Sequence, residues 1–153
     1  GSRVLAVTTS PDKLGQFAPL GAEEVLHTDE LDFSEMVLAL TEDLGAEVVI
    51  DTVGSVLFTS SWRSLAQFGR LVLLGEVAGK PVELSLAEII FRDAQVLGSS
   101  GVSRSVIERV ADMVSQGLVK PVVGGSMPLG EAANAFDMLS GRRVLGRLVL
   151  TAR

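Results

Sequence analysis

Two short runs constrain this fold more than anything else in the chain. "EVVID" (Glu47–Asp51) and "RLVLLG" (Arg70–Gly75) are apolar nearly throughout rather than at alternate positions. A strand with one wet face alternates, whereas a continuously apolar strand is buried on both faces, as in a parallel sheet covered by helices. Further short apolar runs predict strands at Val4–Thr8, Glu24–His27, Glu47–Thr52, Arg70–Gly75, Ala94–Gly98 and Arg147–Thr151. Helical spacing lies between them: Phe33, Met36, Val37, Leu40 and Leu44 share one helical face, and Val106, Ile107, Val110, Met113 and Val114 share another. Strand–helix alternation with short connections predicts an α/β fold with a mostly parallel, doubly wound sheet and right-handed crossovers.

Local signals punctuate the pattern. Ser10 before Pro11 reads as an N-cap and first-turn proline, and Ser85 and Ser103 are further N-cap candidates. Gly21, Gly45 and Gly117 read as helix stops. The glycine-rich "VVGGSMPLG" (Val122–Gly130) reads as a loop leading to a last helix near Gly130–Leu139. Trp62, in helical spacing with Phe58 and Leu65, reads as core.

Composition excludes several partners. With 13 basic and 19 acidic residues the net charge is −6, against nucleic acid as a partner, which wants a basic stripe. No apolar run is long enough for a membrane span, so a membrane partner is not expected. No secretory signal is visible. The absence of cysteine rules out disulfides and thiolate metal sites in these residues and fits a cytoplasmic setting. His27 is the sole histidine. A lone histidine at a strand end reads as a surface or packing residue, and neighbouring Asp29 does not make it a metal site.

Several motifs fail. The G-x-G-x-x-G dinucleotide turn is absent, so either the fold is another α/β type or its first strand is not among these residues. "GEVAGKP" (Gly75–Pro81) is one residue short of a phosphate-cradling loop and carries Pro81 in place of the magnesium-binding hydroxyl. "GSSG" (Gly98–Gly101) lacks nucleophile-elbow spacing. Asp51 ends a buried strand before Gly54, where it is either a turn residue or a contact to a bound nucleotide at the carboxyl end of the sheet.

Taken in order, "RVLAVTTSPDK", "LGAEEVLH", "GAEVVIDTVG" (Gly45–Gly54), "GRLVLLGEVAG" (Gly69–Gly79), "VLGSSGVSR" (Val96–Arg104), "GLVKPVV" (Gly117–Val123) and "PLGEAANAFDMLSGRRVLGRLVL" (Pro128–Leu150) resemble the C-terminal portion of the medium-chain dehydrogenase/reductase superfamily, of the zinc-type alcohol dehydrogenase and quinone oxidoreductase kind. The resemblance covers essentially the whole chain. It implies a Rossmann-like, doubly wound, mostly parallel sheet, with residues 1–153 forming a partial nucleotide-binding domain. The first strand, its glycine turn and the catalytic domain would lie upstream. A tail from about residue 121 to 153 would return to that catalytic domain. The parent would be an NADP(H)-dependent oxidoreductase transferring hydride to or from a carbonyl, an alcohol or an activated double bond of a small-molecule substrate. Zinc ligands, where the parent has them, would lie outside this chain, and no catalytic residue is assigned within it. A homo-oligomer, a dimer in the first instance, is expected.

The resemblance also assigns cofactor contacts. The acid that bonds the ribose 2′-hydroxyl in NAD enzymes falls on Thr8. With Thr9, Ser10 and Lys13 around it, loss of that acid favours NADP(H) over NAD(H). A helix opening at Ser10 would add backbone donors for an anion. Thr52 and Val53 would lie along the adenosine. Leu74, Gly75 and Glu76 would pass the nicotinamide, as would Ser99, Ser100 and Gly101, and Arg147 falls near the pyrophosphate. Glu76 departs from the small or apolar residue expected there. A non-catalytic Rossmann-type nucleotide-binding or interaction module is the competing class.

Overall fold

A computed structural model describes residues 1–28 and 32–152; Asp29 therefore lies outside the described residues. The chain forms two compact units, Gly1–Ser100 and Gly101–Arg153.

In the first unit, β1 (Leu5–Thr8) leads through a 3₁₀ turn at Pro11–Lys13 into the single turn of α1 (Leu14–Phe17), then to β2 (Glu24–His27). There follow α2 (Ser34–Leu40), β3 (Ala46–Asp51), α3 (Phe58–Arg63), β4 (Leu65–Leu73), α4 (Leu86–Arg92) and β5 (Gln95–Gly98). Every strand pairing is parallel: β1 with β2, β3 with β4, and β4 with β5. This is the Rossmann-like α/β architecture that the apolar runs imply. Gly21, at φ 102°, terminates the turn after α1 as a left-handed cap.

β4 begins earlier than the expected Arg70, at Leu65, directly after α3. Leu65 pairs with Ala46, the register then slips, and regular pairing resumes at Val48 with Arg70. The slip is the bulge the sequence does not announce. Phe68 sits at φ 60° within it. Gly45, at φ 80°, permits the close approach, since a Cβ there would lie 2.8 Å from the Ala66 amide nitrogen.

Two apolar clusters hold the unit. Phe58, Trp62, Leu65 and Leu71 are buried together, with Val49, Leu73 and Ile89 against them. Leu26, Phe33 and Val37 form the second cluster, joined by Leu5, Val7 and Ala46. Trp62 is core, as expected; its indole donates to Glu88 at 2.6 Å and its ring carries the Arg92 guanidinium 5.4 Å from the centroid. Arg92 also donates to the Trp62 and Leu65 carbonyls and so satisfies the end of α3.

Arg3, at the entry to β1, donates to the Leu40 carbonyl at the end of α2, 2.7 Å away. The chain leaves α2 at that end and turns into β3, so β1 and β3 begin near each other. Yet β1 and β3 are not paired. A cleft of about 920 Å³ separates them, lined by Leu5 and Val7 on one side and Val48 and Ile50 on the other. Ile50 is 63% exposed in consequence.

The second unit contains α5 (Arg104–Ser115), β6 (Val123–Pro128), α6 (Ala132–Ser140) and β7 (Arg147–Thr151). The Ser103 side chain caps α5 by accepting from the Val106 amide, whereas the Ser10 and Ser85 side chains make no such bond. The stripe from Val106 to Val114 lies on one helix as expected, but none of it is buried. The reading of Val122–Gly130 as a loop is overturned: Val123–Pro128 is a strand, parallel to β7. Its glycines do not break it. A Cβ at Gly124 would collide with the Leu145 carbonyl, so glycine is what lets the chains approach here.

Asp32 ties α2 to α3. It accepts from the Ser34 amide and hydroxyl, from the Ser60 hydroxyl and from Arg63. The Ser34 hydroxyl, then the Ser34 amide, are the largest causes that lower its carboxyl from 3.8 to about 2. A depressed carboxyl stabilises above its unfolded value and loses that contribution as pH falls through its folded one. Asp32→Asn should therefore cost about 1 kcal/mol at neutral pH, the size of a lost helix cap. The cost should fade between pH 4 and pH 2 in urea unfolding.

Candidate cofactor site

The carboxyl ends of β3, β4 and β5 are stitched together beyond their last strand residues. Leu74 donates to the Asp51 carbonyl at 2.8 Å, Val77 to the Val53 carbonyl at 3.0 Å, and Ser99 to the Leu73 carbonyl at 3.0 Å. These bonds bring Thr52, Val53, Leu74, Gly75, Glu76 and Ser99 to one end of the sheet. Ser100 and Gly101 follow directly, Gly101 at φ 66°. Carboxyl ends of parallel strands are where an open α/β sheet offers converging loops and unpaired backbone groups to a ligand.

Each turn there has a physical cause. Asp51 is buried, and its carboxylate accepts from the Val53 and Gly54 amides and from the Ser61 hydroxyl, all at 2.8 Å. That is the turn role for Asp51, and it anchors the turn to α3. Gly54, at φ 83°, takes a backbone conformation that other residues rarely adopt. Gly75 packs so closely on Thr52 that a Cβ would overlap the Thr52 carbonyl.

Glu76 sits on this rim and is exposed. One oxygen accepts from the Ser55 amide at 2.7 Å. The other accepts from the Ser55 hydroxyl at 2.7 Å and from the Ala78 and Gly79 amides at 2.9 and 2.8 Å. The Ser55 hydroxyl first, then the three amides, lower its carboxyl from 4.5 to about 2. Sequence reasoning left Glu76 unexplained. The usable signal was a carboxylate two residues before Ala78-Gly79, able to accept from the following turn.

Thr8 ends β1, and Thr9, Ser10 and Lys13 follow it into the 3₁₀ turn. Thr8 Oγ1 accepts from the Ser10 amide at 3.1 Å and keeps its own proton to donate. The helix expected at Ser10 is instead a 3₁₀ turn and one α-turn, too short for a substantial helix dipole. Arg147 opens β7 in the second unit, and its amide donates to the Val122 carbonyl at 2.9 Å. Among the described residues there is no group of three or more His, Cys, Asp or Glu side chains that could hold a metal ion. Also among the described residues, no helix is long and apolar enough to cross a membrane.

A Rossmann-like sheet with glycine-shaped turns at its carboxyl ends defines a dinucleotide-binding class of domain. The family described as zinc-binding dehydrogenase matches residues 1–116, and the chain belongs to it, within the medium-chain dehydrogenase/reductases. It is 34% identical to acryloyl-coenzyme A reductase of Metallosphaera sedula, over 99% of this chain and 44% of that protein. It is also 34% identical to D-arabinose 1-dehydrogenase (NADP(+)) of Saccharolobus solfataricus, over 86% of this chain and 37% of that protein. Among solved structures, an NAD-dependent alcohol dehydrogenase superposes with a TM-score of 0.89 at 35% identity, over 100% of this chain and 45% of that one. The chain thus spans less than half the length of these relatives.

Gly75→Ala should push the β3 and β4 turns apart and cost about 1–3 kcal/mol of stability. Hydrogen exchange should quicken at the Leu74 and Val77 amides, which bridge the two turns, while the buried amide of Leu71 keeps its protection relative to global unfolding.

Proposed function

We propose that this chain is the cofactor-binding part of a longer NADP(H)-dependent oxidoreductase that moves hydride between the dinucleotide and a carbonyl, an alcohol or an activated double bond. The relatives named as dehydrogenases and reductases support the reaction class. The observation that carries the cofactor choice is the carboxyl end of β1. In place of a carboxylate, Thr8 offers a hydroxyl that is already oriented by the Ser10 amide and still holds a proton. Thr9, Ser10 and Lys13 follow it in the chain. A carboxylate there would repel a 2′-phosphate, whereas hydroxyl donors and an ammonium favour it. The relatives include both NADP(+) and NAD enzymes by name, so the preference rests on this end of β1.

The glycine-shaped turns fit the rest of the dinucleotide. Gly54 and Gly75 let the turns at Thr52–Val53 and Leu74–Glu76 pack directly against each other, where the adenosine and nicotinamide would lie. The dinucleotide supplies the hydride; these residues bind and orient it and help exclude water. Substrate, proton donor and any zinc belong to the parts that the longer relatives carry. A homo-oligomer is part of the proposal, supported by β5, an edge strand whose four residues are all exposed.

The test is calorimetric titration of the full-length protein with NADPH and NADH. NADPH should bind more tightly, and Lys13→Glu should weaken NADPH by about tenfold, the size of one charge-assisted hydrogen bond, with NADH little changed. Tighter binding of NADH would overturn the cofactor choice. Binding of neither would overturn the dehydrogenase reading in favour of an interaction module.

A further inference from the structure

We propose that Glu76 is a positioning residue for the dinucleotide, a carboxylate clamp that fixes the turn after β3 to the turn after β4. The proposal rests on the cofactor reading above.

The clamp spans two turns distant in sequence. Ser55 belongs to the turn after β3; Glu76, Ala78 and Gly79 belong to the turn after β4. The Glu76 carboxylate accepts two donors from Ser55 and two amides from its own turn. The backbone is shaped around it. A Cβ on Gly54 would lie 2.5 Å from Glu76 Oε2 and 2.6 Å from the Gly75 carbonyl. Gly79, at φ 64°, turns its amide back towards the same carboxylate. Four donors around an exposed side chain are more than surface solubility requires.

A free carboxylate beside a polyanionic dinucleotide would weaken binding by repulsion. Here four donors converge on the charge and offset it in part, and in return the two turns keep a fixed spacing. Thr52–Val53 lies on one side of that spacing and Leu74–Gly75 on the other. Preorganising both before the ligand arrives removes an ordering cost from binding. The charge is also constant in use: Glu76 stays ionised well below neutral pH.

The experiment compares wild type, Glu76→Gln, Ser55→Ala and the double variant in the full-length protein. Glu76→Gln keeps the shape but turns an amide NH₂ towards donors. The NADPH dissociation constant and KM should rise about tenfold, with kcat at saturating NADPH changed less than about twofold. Ser55→Ala should weaken binding less, and the double variant should fall short of the summed effects, because both changes act on one clamp. In the absence of ligand, Glu76→Gln should speed hydrogen exchange at the Ser55, Ala78 and Gly79 amides, and saturating NADPH should slow it again. Wild-type affinity should show no carboxylate titration between pH 5 and pH 8.

Unchanged NADPH affinity in Glu76→Gln, with the wild type binding normally, would overturn this proposal alone. So would a Glu76→Gln defect that appears equally in kcat, or additive effects of the two substitutions. A wild type that binds neither dinucleotide would overturn the cofactor reading and this proposal with it.

Discussion

The parallel ladder between β3 and β4 is the constraint on which the rest of the first unit depends. It is built from the two runs that are apolar at consecutive positions; β4 packs into the core, whereas Val48 and Ile50 of β3 are left exposed, so the expected burial on both faces does not hold for β3. Leu71, fully buried, sits at its centre. Because the pairing persists beyond the strands, through Leu74 to Asp51 and Val77 to Val53, the turns at its carboxyl end inherit the rigidity of the sheet. Asp51 then secures one turn to α3, and Glu76 secures that turn to its neighbour. A surface made of turns thereby becomes a surface of fixed shape.

The cleft between β1 and β3 is the complementary feature. β1 and β3 face each other across it without pairing, and apolar side chains such as Val48 and Ile50 line the space. Free strand edges and exposed apolar surface are costly to leave bare in water. The second unit repeats the theme on a smaller scale, with α6 joining the parallel strands β6 and β7.

Much of the strand order was legible in the sequence because short apolar runs mark strands, although Val48, Ile50 and the apolar stripe of α5 are not buried. The expected strands exist within a few residues, and Trp62 is core. What escaped was tertiary in origin. The bulge at the start of β4 arises from packing against Gly45, which no local pattern announces. β6 was hidden because glycines normally mark loops, yet Gly124 is there to admit the Leu145 carbonyl. The helix after Ser10 was over-read from its serine–proline start, although only one α-turn follows. At the carboxyl ends of the strands, the order of motifs gives no hint of the role Glu76 plays. Its partner Ser55 lies 21 residues away, and only folding brings the two together.

The most direct test is an amide chemical-shift map of the full-length protein as NADPH is added. The account predicts the largest changes at Thr8–Lys13, Thr52–Val53, Leu74–Gly79 and Ser99–Gly101, the turns at the carboxyl ends of the parallel strands. Changes confined to the opposite end of the sheet, around Arg3, Leu40 and Gly45, would contradict it.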